Sequence, residues 1–111
     1  MENLTAEIST KINELNVSVK KLRETGTALA TAERDYKILL SQESLKLRES
    51  GEAVGMIDKV VYGVKEVAAA RFKRDVAKAI YDANSEAINA IKVQLRIYND
   101  QWSAEWGAAK Y

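Results

Sequence analysis

The sequence contains no cysteine, no histidine and no proline, and only five glycines among its 111 residues. Without cysteine there is no disulfide framework, no thiolate nucleophile and no thiolate metal site. Without histidine the commonest general base and the commonest transition-metal ligand are gone. An excess of charge is missing as well. Seventeen Lys and Arg stand against sixteen Asp and Glu, a net charge of +1, which argues against strongly electrostatic binding to nucleic acid. Long hydrophobic runs are absent. Runs such as Val67-Ala68-Ala69-Ala70 reach four residues, against the roughly 20 needed to cross a bilayer. The opening Met1-Glu2-Asn3-Leu4-Thr5 has neither the basic start nor the apolar stretch of a signal peptide. These absences lead us to expect a soluble cytoplasmic protein. What remains is 47% apolar and 30% charged, a composition suited to one small folded domain.

Apolar residues recur in steps of three and four from the start. Leu4, Ile8, Ile12, Leu15, Val19, Leu22, Leu29, Tyr36, Leu40 and Leu47 form the seam of an amphipathic helix over residues 4–49. Asn3 or Thr5 is the expected cap, because each offers an acceptor to the free amides of the first turn. Glu7 and Lys11 have the spacing of a favourable i,i+4 pair. Gly26 lies on the seam, where it weakens the helix and implies either a closely packed neighbour or a hinge. Ser50-Gly51 ends the helix, since glycine takes the left-handed conformation without steric cost. Within the connector, 50–63, the segment Met56–Tyr62 lies between Gly55 and Gly63. Its β-branched residues also suit a strand, but a lone strand has no pairing partner, so a short helix is expected.

A second long helix is expected over residues 64–106. Its stripe is read as Ile80, Asn84, Ala87, Ile91, Leu95, Tyr98, Trp102 and Trp106, with members eleven residues apart. An eleven-residue repeat runs nearly straight or slightly right-handed. The helices are about 70 Å and 65 Å long at 1.5 Å per residue. Equal lengths with a short connection favour an antiparallel, coiled-coil-like hairpin forming a single all-α domain over residues 1–111. That topology sets Trp102 and Trp106 beside Leu4 and Ile8. It sets Leu40 and Leu47 beside Val67 and Phe72, and Gly26 and neighbouring alanines opposite Ala83, Ala87 and Ala90. Val17, Ile38, Leu39, Leu45, Val76, Tyr81, Ile88, Val93 and Ile97 lie off the stripes. The connector can cover some of them, and self-association into a homodimer or larger bundle would cover the rest.

Little catalytic chemistry is available. The carboxylates have the spacing of solvated helix faces, and Gly51–Met56 lacks the Gly-Lys-Ser/Thr end of a phosphate loop. No catalytic residue, metal, cofactor or small-molecule substrate is expected. Two features suit partner contact. Lys65, Arg71, Phe72, Lys73, Arg74 and Lys78 fall in a stretch with five basic and two acidic residues, suited to a phosphate or acidic partner. Arg71–Asp75 and Lys78–Asp82 have ion-pair spacing, which would turn the same stretch into a solvated face. Trp102 and Trp106 either close the end of the hairpin or form an exposed aromatic anchor.

Trp106-Gly107 resembles the Trp-x-Gly pair of helical hairpins secreted by Gram-positive bacteria. That pair belongs at a turn, whereas here it follows the second stripe, so that family is set aside. The segments 70–77 and 86–97, the glycine-flanked Met56–Tyr62 and the approach to Trp106 resemble small helical proteins encoded by phages and prophages of Gram-positive bacteria. The resemblance covers roughly residues 50–107. It implies a non-enzymatic accessory protein in the cytoplasm of a bacterial host. Such a protein would be an adaptor or inhibitor of a DNA-metabolism or defence protein. A nucleic-acid binder using the basic stretch 65–78 is the alternative.

Overall fold

In the computed structural model, described for the backbone of residues 2–110 and the side chains of residues 3–107, every regular element is helical. The order is α1 (Glu2–Glu49), α2 (Val54–Val60), a single 3-10 turn (Val61–Gly63) and α3 (Lys65–Lys110). The short helix expected in the connector is present, and no strand occurs among the described residues. Among the described residues no helix is long and apolar enough to cross a membrane. Asn3 and Thr5 lie inside α1 rather than capping it, and α3 continues through Gly107.

The end of α1 follows the expected chemistry. Gly51 has φ +91°. Its amide donates to the Arg48 carbonyl at 3.2 Å, and the Glu52 amide donates to the Leu47 carbonyl at 3.0 Å. This is a Schellman closure, in which a left-handed glycine satisfies the last free carbonyls of a helix. The Ser50 hydroxyl also donates to the Leu47 carbonyl, at 2.8 Å. Val64 is extended, with ψ 129°, and its carbonyl accepts the Ala68 amide at 2.9 Å as α3 begins.

Packing groups the chain into two units, one of residues 25–81 and one combining residues up to 24 with those from 82 onward. In the unit of residues 25–81, Tyr36, Val61 and Val67 form the buried centre, flanked by Leu39, Leu40, Leu47, Val64 and Ala70. Leu40 and Leu47 thus lie with Val67, as expected. Phe72 does not join them and is 70% exposed. Ile57 of α2 is buried. Gly26 faces a large ring, because a Cβ placed there would lie 3.5 Å from Tyr81 Cε2. The packed neighbour at this glycine is a tyrosine at ordinary contact distance, rather than the alanines expected opposite it.

In the other unit, Ile88 and Ile91 are buried. Ile8 shares a shallow cleft with Asn99 and Trp102. Further along α1, the Ser18 carbonyl accepts a 3.1 Å hydrogen bond from Asn84 Nδ2. Positions on α3 fall as positions on α1 rise, so the helices are antiparallel here. The same order, Gly26 with Tyr81 and Tyr36 with Arg74, holds in the unit of residues 25–81.

Covered positions correct the expected stripes. On α1 they include Ile8, Leu15, Leu22, Leu29 and Tyr36, interleaved with Leu4, Lys11, Ser18, Thr25, Ala32 and Leu39, and towards its end the expected Leu40 and Leu47. Each row repeats every seven residues, the period of a coiled-coil seam. Ile12 and Val19, expected on the seam, are exposed. On α3 the covered rows are Val67, Arg74, Tyr81, Ile88, Leu95 and Trp102, with Ala70, Ala77, Asn84, Ile91 and Tyr98. Ile80, Ala87 and Trp106 are exposed, so the eleven-residue period is not the one that packs. The physical reason is that polar and small residues occupy much of the true seam. Lys11 reaches Glu14 Oε2 at 3.1 Å, laying its stem along the seam while its charged end pairs at the edge. Its partner is Glu14, not the expected Glu7.

Candidate interaction surface

The basic stretch on α3 is divided by helix geometry. Arg74 occupies the seam. Its guanidinium carbon lies 4.6 Å from the ring centre of the buried Tyr36. Its Nε and an Nη donate to Asp75 Oδ1 at 3.1 and 2.8 Å. The hydrogen bond to Asp75 raises the Arg74 pKa above its ordinary value, with desolvation opposing and the Asp75 charge reinforcing the shift. Asp75 therefore pairs with its neighbour Arg74, whereas i,i+4 spacing had matched it with Arg71. Arg71 instead lies 5.5 Å from the ring centre of Tyr62, within cation–π reach.

The remaining members point in different directions. Arg71 and Lys78, seven residues apart, share one flank of the seam, and Lys73 takes the other. Lys65 and Phe72, also seven apart, point outward, and all five are exposed. The six residues read as one patch are therefore one seam residue and five spread around the helix. The two tryptophans also part company. Trp102 is half-buried beside Ile8, Thr5 and Asn99, whereas Trp106 is 59% exposed. Of the two tryptophans, Trp102 packs beside Ile8 as expected and Trp106 does not.

The concavities are shallow. One of about 570 Å³ lies between α1 and α2, where Leu40, Ser44, Leu45, Val54, Ile57 and Asp58 contribute to its lining. It is open to solvent, and Arg48 also lines it. No group of three or more metal-ligating side chains occurs among the described residues. Buried polar side-chain atoms there all have hydrogen-bond partners, so no orphaned group points at an absent ligand. What stands out is exposed apolar surface. Val17, Ile38, Leu45, Val54, Val93 and Ile97 are all exposed. Sequence reading found these residues, Val54 of the connector excepted, as surplus to the stripes. It missed Tyr36 and Tyr62 as supports for arginines, because ring-over-cation contacts join distant positions.

Comparison of the chain with protein-family models, curated proteins and solved structures finds no match.

Proposed function

We propose that this chain is a non-catalytic, phage-type accessory protein that acts by protein–protein contact and self-associates through helix faces the hairpin leaves bare. The observation that carries the reading is the surface left uncovered. Val17 is 65% exposed, Leu45 55%, and Ile38, Val93 and Ile97 about half. Apolar surface rimmed by charge is the usual mark of a protein interface. The dispersal of Lys65, Arg71, Lys73 and Lys78 around α3 weighs against one phosphate-tracking face.

The partner class suggested by the phage resemblance is a host or phage protein of DNA metabolism or defence. Light scattering over a range of concentrations tests self-association, with a mass that is a multiple of the monomer expected. Affinity capture from a Gram-positive host lysate tests the second contact. Steep salt-dependent binding to DNA, with no protein partner captured, would replace this reading with the nucleic-acid alternative.

A further inference from the structure

In the unit of residues 25–81, the connector helix α2 is lightly held. Of its seven residues only Ile57 is buried, and Val54, Met56 and Val60 are 74%, 44% and 37% exposed. No side chain caps its first turn. Gly51 before it, Gly55 within it and Gly63 after it have open space where a Cβ would stand. The cleft of about 570 Å³ lies along its side facing α1. The two walls of that cleft match in character. Leu45 and Arg48 come from α1, and Val54 and Asp58 come from α2. Leu45, like Val54, is an exposed apolar residue. Arg48 and Asp58 carry opposite charges, and neither belongs to an ion pair among the described residues.

We propose that α2 is a strap with a second, closed position, in which it swings onto α1, Asp58 meets Arg48 and Val54 meets Leu45. One movement satisfies both the charges and the apolar residues, because each wall carries what the other needs. Ile57 and Val61, 7% and 2% exposed, lie one turn apart and form the pivot. Glycine takes up backbone rotation more readily than any other residue, and glycines stand on both sides of the strap. The gain on closing is small, since an exposed ion pair contributes little, so the two positions exchange rather than one excluding the other. Closure hides Leu45 and Val54, and the strap thereby regulates how much apolar surface this end of the chain offers. The movement belongs to the chain itself and does not depend on what the chain binds.

The absence of cysteine makes the movement measurable. Leu45→Cys with Val54→Cys places one thiol on each wall, at exposed positions whose replacement spares the core. A disulfide needs the two Cα atoms within about 7 Å, so it reports the closed position. In dilute protein under mild oxidation the two thiols should link within the chain. Arg48→Glu on this background should slow linking about two- to fivefold, the range of an exposed ion pair, and so should Asp58→Lys. Both together should restore the rate, because the pair is remade with its signs reversed. Lys46→Glu makes the same change of charge as Arg48→Glu outside the cleft and should leave the rate unaltered. Hydrogen exchange of the unaltered chain gives a second readout. Amides of residues 57–61 should exchange at least about tenfold faster than those of residues 36–40, because an element that opens locally exchanges ahead of the core. Absence of linking, a rate indifferent to both charges, or a double variant as slow as the single ones overturns the closed position. Equal protection of residues 57–61 and 36–40 overturns the strap.

Discussion

Gly26 and Gly51 differ in what a side chain would meet. Gly26 sits within α1, and a methyl group added there would meet the Tyr81 ring at 3.5 Å, an ordinary contact. Gly26→Ala should therefore stabilise the chain by about 1 kcal/mol, the usual gain of alanine over glycine inside a helix. A higher melting temperature is the readout, and a lower one would mean that the ring cannot accept the contact. Gly51 has open space around it, but its φ is +91°. Gly51→Ala should cost about 1–2 kcal/mol because a Cβ strains the left-handed backbone. Space alone would have predicted no effect, so denaturant unfolding of the two variants separates crowding from backbone strain. Arg74 and Lys73 make a third contrast. Arg74 lies over Tyr36 and holds Asp75, whereas Lys73 is exposed. Arg74→Ala should lower the melting temperature clearly more than Lys73→Ala, and equal effects would remove Arg74 from the packing.

At the scale of the elements, seams are decided by which partner each residue meets. Apolar counting located Ile8, Leu15, Leu22, Leu29 and Tyr36 on α1, and Ile91, Leu95, Tyr98 and Trp102 on α3. It misplaced Ile12, Val19, Ile80 and Trp106 because those residues are apolar and lie within a turn of the seam. The rows that complete the packing contain Lys11, Ser18, Thr25 and Asn84. These residues look like solvent-facing positions until the facing helix is known. Asn84, for example, is matched by a backbone carbonyl of Ser18, and no hydrophobicity pattern records a carbonyl on another helix. Ile91 is only 8% exposed. Ile91→Asp should cost at least about 3 kcal/mol through lost packing and a buried charge. Circular dichroism during denaturation would show this, and an unchanged midpoint would refute the seam.

For the whole molecule, stability and assembly are expected to be linked. If native chains associate, dilution removes part of their stability by mass action. The melting temperature should rise with protein concentration. A melting temperature independent of concentration across a wide range would separate folding from assembly. The exposed Lys46–Glu43 and Arg34–Asp35 pairs should contribute little, because exposed ion pairs gain less than about 1 kcal/mol. Salt should therefore shift the melting temperature only slightly.

The chain's own composition determined that it is helical, where the two long helices run and where the connector turns. Each of those follows from local chemistry: the three-four recurrence, the scarcity of glycine, and a left-handed glycine at position 51. Tertiary structure decided which of several apolar rows faces inward, that Tyr81 fills the space beside Gly26, and that Arg74 belongs to the packing rather than to a basic patch. A helix can present apolar residues on more than one side, and only the position of its neighbour selects the side that leaves water.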